Sequence, residues 1–159
     1  MGSKSMYPNI TKSFKIANGD FLKIKALNKI NIDPEITQID YLEHFKTNKI
    51  KVFKGPEFDK LSELQKINIF KNIFTISNDN NRMAFQLKEP FINQLKPIIT
   101  SLVMQGTVQL TPSGKLIILM RDNQTCGGYP RVLQLNESAI NKLSQKYMNN
   151  EIKFELIEN

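Results

Sequence analysis

The fold class this chain predicts is mainly β, α+β in content: an antiparallel barrel or sandwich with about two helices. Three observations predict it. The strand-like stretches alternate apolar and polar residues with period two, as in EIKFELIE at 151–158, a spacing that puts successive side chains on opposite faces of a sheet. Two apolar runs, GTVQL and KLIILM, flank Thr111-Pro112-Ser113-Gly114, where proline and glycine set the dihedrals of a tight turn. Several connections between strand patterns are too short for the crossover that a parallel pair requires.

The elements follow in chain order. ITKSFKIANGDFLKIKAL at 10–27 alternates around Asn18-Gly19-Asp20 and reads as a hairpin. Residues 28–49, with Asp33-Pro34, read mostly as loop. IKVFK at 50–54 is a strand pattern that ends at Gly55-Pro56. Beyond it Phe58, Leu61, Leu64, Ile67 and Phe70 recur at helical spacing, which predicts a helix of about 12 residues. A strand at 73–77, a polar loop SNDNN at 77–81 and a strand at 83–87 come next. Pro90 and Pro97 break the middle, after which 107–110 and 115–120 pair as a hairpin. RVLQL at 131–135 resumes as a strand, and Asn136 caps a helix with Ile140, Leu143 and Tyr147 on one face. No internal repeat, low-complexity tract or linker divides the chain, so residues 1–159 read as a single domain with one core.

Composition narrows the function classes. Hydrophobic residues are 40% and charged residues 23% of the chain, ordinary for a soluble globular protein. The longest apolar runs, such as LIILM at 116–120, are strand-length, well short of the roughly 18–20 residues that cross a bilayer. The start, MGSKSMYPN, lacks the apolar stretch of a secretory signal, and the single cysteine cannot form an internal disulfide. A cytoplasmic protein without membrane association is therefore expected. No Cys/His cluster is spaced to hold a metal. The net charge of +7 invites a nucleic-acid reading, but the basic residues are 19 Lys and 3 Arg, scattered without a dense stripe interleaved with aromatics. No nucleic-acid partner is expected. The sequons at Asn9, Asn123 and Asn136 carry no weight in a chain without an export signal.

Arg121–Pro130 is the anomaly of the sequence. A hairpin needs only about two to five loop residues, yet here ten, RDNQTCGGYP, separate two apolar strands. Gly127-Gly128 lets the main chain approach a ligand closely, and its N–H groups can cradle an anion or a carbonyl oxygen. Asp122, Gln124 and Thr125 add a carboxylate, a two-way amide and a hydroxyl, a set suited to a small amide, ureido or carboxylate compound. The plainer alternative is a glycine-rich turn whose polar side chains satisfy its own backbone.

LIILMRDNQTCGGYP resembles the signature of the allophanate hydrolase subunit 2 family, a strand running into Asp-x-Gln-Thr-Thr-Gly-Gly-Tyr-Pro. Asp122, Gln124, Thr125, Gly127, Gly128, Tyr129 and Pro130 match it, while Cys126 replaces the usual Thr and Asn123 a frequent Arg. Gly106-Thr107-Val108-Gln109 with Pro112 and Gly114 resembles the family's Gly-x-x-Gln-x-Pro-x-x-Gly hairpin. FKGPEFD at 53–59 is similar to its Gly-Pro-x-x-Asp segment, and SNDNNRMAFQL to Ser-x-x-Ser-x-Arg-Met-Gly-Tyr-x-Leu. In the last, Arg82 and Met83 are kept while Ala84 and Phe85 replace Gly and Tyr. GSKSMY near the start is similar to a Gly-Ser-Arg-Ser/Ala-x-Tyr element. Family members are usually about twice as long, and the Gln-Asp-x-Gly-Arg element of their first half is missing here, so the chain resembles the C-terminal part.

The resemblance implies a cyclophilin-like closed β-barrel and a subunit of an ATP-dependent amide-hydrolysing complex, of the 5-oxoprolinase or the allophanate/urea type. It implies Asp122 as general base or amide acceptor, Gln124 and Thr125 as orienting catalytic residues, and Gly127, Gly128, Tyr129 and Arg82 as substrate-binding residues. The Gly127-Gly128 amides are expected to hold developing negative charge, and Arg82 to pair with Asp122 or a substrate carboxylate. The implied partners are a subunit 1 homologue in a hetero-oligomer, a third metabolic subunit and a small amide. ATP serves the complex, and no cofactor resides in this chain. One alternative is a carboxyltransferase-like domain served by biotin from another chain, since no Met-Lys-Met motif is present. Another is a non-catalytic module antagonising a kinase inhibitor. This part alone is expected to be inactive.

Other residues carry less. His44, the only histidine, lies in a charged stretch without a Ser or Cys neighbour and reads as a surface residue. Cys126 beside two glycines is a possible nucleophile, but a family Thr at that position argues against it. Glu57 and Asp59 at a helix start are expected to favour the macrodipole, and Met83 and Phe85 to be core.

Overall fold

The computed structural model describes residues 18–22 and 46–157. The chain divides into two compact units, Met1–Ile39 and Asp40–Asn159, and the barrel belongs to the second. Of the 10–27 hairpin only the turn falls among the described residues, with Gly19 at φ +94°. The rest of that hairpin, most of the 28–49 loop and His44 lie outside them. From residue 49 the elements are β1 (Lys49–Lys54), a 3-10 turn (Phe58–Lys60), α1 (Glu63–Lys71), β2 (Phe74–Asn80), β3 (Ala84–Leu87) and β4 (Ser101–Leu102). They continue with β5 (Thr107–Leu110), β6 (Leu116–Leu119), β7 (Cys126–Gly127), β8 (Arg131–Leu135), α2 (Glu137–Ser144) and β9 (Glu151–Leu156).

Seven strands close a barrel in the order β1-β8-β5-β6-β3-β2-β9, while β4 and β7 form a separate two-stranded sheet. The barrel is mixed rather than wholly antiparallel, because β1 and β9 pair in parallel, Ile50 opposite Phe154. The number of strands explains the one parallel pair in an otherwise antiparallel barrel. Neighbours that alternate in direction cannot close a ring of odd number, so seven strands force one parallel pair. The β5–β6 hairpin forms as its turn chemistry predicts, with Leu110 opposite Leu116 and Gly114 at φ +77°. Period-two alternation then fills the inside: Ile50, Val52, Ile76, Val108, Leu116, Ile118 and Phe154 are all buried. Each large side chain withdrawn from water contributes about 1.5–3 kcal/mol, so the shared interior carries the fold.

Three local expectations need correction. The single helix expected from Phe58 to Phe70 is two pieces, since Ser62 accepts from Gln65 N while the Gln65 side chain accepts from Ser62 N. This capping box restarts the helix and shifts its phase, so Ile69 is buried whereas Leu64 and Ile67 are exposed. The SNDNN loop is strand as far as Asn80, with a register shift between Ile76 and Asn80. Asn81 Oδ1 closes the following turn by accepting from Met83 N and Ala84 N. Helix α2 has its expected cap, Asn136 Oδ1 accepting from Ala139 N at 2.8 Å, but it ends at Ser144 and leaves Tyr147 exposed beyond it. Among the described residues no helix is long and apolar enough to cross a membrane.

Candidate functional site

Alternation that fills the barrel also decides what its outer wall offers. Phe85, Ile118 and Val108 point into the core, so their chain neighbours Gln86, Ile117 and Gln109 point outward. The register sets those three side by side across β3, β6 and β5, Gln86 opposite Ile117 and Ile117 opposite Gln109. The 121–130 loop and the 78–81 end of β2 flank this row, leaving a cavity of about 540 Å³ on the wall. Gln86, Gln109, Gln124, Asn78, Asn81 and Tyr129 are among its lining residues.

The two central amides are unequal. Gln109 is only 1% exposed, and its Nε2 donates a long bond to the Tyr129 carbonyl at 3.4 Å. The Oε1 of Gln124 is buried and accepts from nothing among the described residues. Leaving a buried acceptor unsatisfied costs about 1–3 kcal/mol, so this oxygen calls for a donor from water or a ligand.

The remaining loop residues are distributed around this cavity. Asp122 Oδ2 pairs with Arg82 Nε at 2.9 Å, and Asp122 N donates to the Arg82 carbonyl at 2.9 Å. The expected facing of Arg82 and Asp122 is therefore present, but both side chains are exposed and neither lines the cavity. Arg82 borders an adjoining apolar hollow of about 370 Å³ with Phe85 and Met120. Thr125 borders a third hollow of about 600 Å³, with Gln105, Gln134 and Glu137. Gly127 and Gly128 take up close approach within the chain itself. Gly127 lies in β7 opposite Ser101, and a Cβ there would come within 2.6 Å of Gln109 Nε2. The Gly128 carbonyl accepts from Ile98 N at 2.9 Å. Of the seven expected site residues, Gln124 and Tyr129 line the cavity, Asp122 and Arg82 form a pair outside its lining, and Thr125 faces another hollow.

Gln86 and Gln109 are additions that the loop motif does not reveal. Gln109 is already visible as the Gln of the upstream hairpin motif, and Gln86 as a polar residue at an outward position of a strand. Two further expectations change. The Glu57 side chain makes no cap bond at the helix start and pairs with Arg131 instead. Its Oε2 accepts from Arg131 N at 2.9 Å and Nε at 3.0 Å, and its Oε1 from the second guanidinium nitrogen at 2.9 Å. Those bonds hold the Glu57 carboxyl below its ordinary range and raise Arg131. Met83 is half exposed rather than core, whereas Phe85 is buried. Cys126 is exposed on β7. Among the described residues no group of three or more His, Cys, Asp or Glu can hold a metal ion.

The closed mixed barrel and its Asp-x-Gln-Thr-x-Gly-Gly-Tyr-Pro loop go with a match to a carboxyltransferase-type domain. The chain belongs to the family described as carboxyltransferase domain, subdomain A and B, whose model matches residues 1–156, and the resemblance to the allophanate hydrolase subunit 2 family holds. It is 27% identical over 110 residues to the C subunit of 5-oxoprolinase from Haemophilus influenzae, covering 68% of this chain and 36% of that protein. To the corresponding 5-oxoprolinase protein of Escherichia coli it is 28% identical over 109 residues, covering 67% and 35%. The chain thus spans about a third of the length of the curated relatives it matches. The crystal structure of Kluyveromyces lactis urea amidolyase shares the fold, with TM-score 0.65 and 18% identity over 69% of this chain and 7% of that one.

Proposed function

We propose that this chain is part of a 5-oxoprolinase-type enzyme, within a subunit of an ATP-dependent complex that opens a small cyclic amide. Family membership and the names of the two bacterial relatives support the class. The observation that carries the reading into this chain is the buried, unpartnered Oε1 of Gln124, on a residue lining an amide-rich cavity. In this reading Gln124 orients the amide and Tyr129 walls it in. Asp122 works through the loop, which its bond to Arg82 fixes, and Thr125 acts from outside the cavity lining. A subunit 1 homologue is the partner in a hetero-oligomer, joined by a third metabolic subunit. ATP is a co-substrate of the complex, and this chain carries no resident cofactor.

The family's own description, a carboxyltransferase domain, favours a second reading; there the chain would serve carboxyl transfer to urea or a related amide, with biotin delivered on another chain. One preparation separates the two. The chain is co-expressed with a subunit 1 homologue and the third subunit, purified as a complex and assayed with 5-oxoproline and ATP. Turnover that requires ATP, ignores avidin and is lost in Gln124→Met supports the proposal. Avidin-sensitive carboxyl transfer supports the second reading. A complex that forms but leaves 5-oxoproline untouched overturns the first.

A further inference from the structure

We infer that the cavity beside the Gly-Gly-Tyr-Pro loop binds the uncharged N–H and C=O edge of an amide, and that a carboxylate on the same ligand has to lie outside it. The inference rests on the proposed function and specifies which part of the ligand this wall receives. Its polar lining is mostly side-chain amides, with Gln86, Gln109 and Gln124 on the wall and loop and Asn78, Asn80 and Asn81 at and just beyond the end of β2. Among the described residues the one charged member of that lining is Asp79. Arg82 borders the adjoining hollow instead, and its Nε is bonded to Asp122.

An amide side chain offers both donors and an acceptor, whereas an ionised carboxylate only accepts. The unmet need here is for a donor, at the Oε1 of Gln124. A lactam N–H meets that need, and its carbonyl can in turn accept from a neighbouring glutamine amide. A carboxylate in the same place sets oxygen against oxygen, faces Asp79 and finds no cation among the described lining residues to compensate for lost water. A ligand that carries both groups therefore enters lactam first, its carboxylate left for groups outside this cavity. The preference of this chain alone runs toward the neutral lactam.

The test is side-chain amide NMR on the full 159-residue chain, titrated separately with 2-pyrrolidinone, 5-oxoproline and cyclopentanecarboxylate. The expected result is that 2-pyrrolidinone shifts the amide signals of Gln86, Gln109 and Gln124 and binds about tenfold or more tightly than 5-oxoproline. Cyclopentanecarboxylate is expected to shift none of them. Equal or tighter binding of 5-oxoproline overturns the inference, as does a 2-pyrrolidinone titration in which those signals stay still. Gln124→Met keeps the side-chain length and removes the acceptor, so it is expected to lose most 2-pyrrolidinone affinity without a lower melting temperature. Wild-type affinity in that variant also overturns the inference. If the complex turns over 5-oxoproline while the chain alone prefers it to 2-pyrrolidinone, this inference falls and the proposed function stands. If the chain prefers 2-pyrrolidinone while the complex is inactive, the inference stands and the proposed function falls.

Discussion

Arg131 reaches Glu57 across 74 positions of sequence, and the pair joins the Gly-Pro segment after β1 to the start of β8. The same guanidinium donates to the Leu102 carbonyl at 3.0 Å, so one side chain ties three stretches of backbone together. Hydrogen bonds from Arg131 are the main reason that the Glu57 carboxyl titrates below 4.5, the ordinary value. The sign of the consequence follows from linkage. A carboxyl whose folded pKa is depressed contributes its full stability above the unfolded pKa and loses it as pH falls through the folded value. Both side chains are largely buried, so Glu57→Gln is expected to lower stability at pH 7 by about 1.5–3 kcal/mol. Urea unfolding at pH 7 and at pH 3 checks this, because the gap between wild type and variant should narrow in acid. An unchanged gap would show that the Glu57 charge contributes nothing to the clamp.

Among the elements, the β5–β6 hairpin depends most on a single backbone conformation. Gly114 holds φ +77°, and its carbonyl accepts from Phe91 N. An added Cβ at this residue would come 3.0 Å from the Phe91 carbonyl oxygen. Gly114→Ala is therefore expected to cost about 1–2 kcal/mol through the left-handed conformation, with some further loss where Phe91 must give way. Chemical denaturation of the variant measures it, and a cost near zero would mean that the turn adopts another type. This hairpin was legible in the sequence because everything that specifies it lies within a few residues. The α2 cap, the β8 strand and the β9 alternation were legible for the same reason. Helix α1 was misread because a capping box between Ser62 and Gln65 resets the phase, and apolar spacing alone carries no phase marker. The cavity was only half legible. Gln124 belongs to a contiguous loop, but Gln86 and Gln109 join it through strand register, which places residues from β3, β6 and β5 in one row. The parallel β1–β9 pair became visible only once the number of barrel strands was known.

At the scale of the whole molecule, the barrel supplies a wall and a loop, and neither surrounds a substrate. The cavity lies on the outside of β3, β6 and β5, its described lining residues include no cation, and Thr125 faces a different hollow. A hydrolytic site needs its reacting groups held together around the amide, because rate depends on fixing them in one geometry before reaction. The curated relatives are about three times as long as the stretch they share with this chain, and the proposed complex adds further subunits. The isolated 159-residue chain is accordingly expected to fold and to bind a lactam, yet to show no ATP-dependent turnover of 5-oxoproline. Two measurements on one sample check this: 2-pyrrolidinone binding by NMR, and glutamate release from 5-oxoproline with ATP. Binding without release is the expected pair of results. Glutamate release by the chain alone would mean that the barrel wall carries a complete site, and that the partner regulates the chemistry without taking part in it.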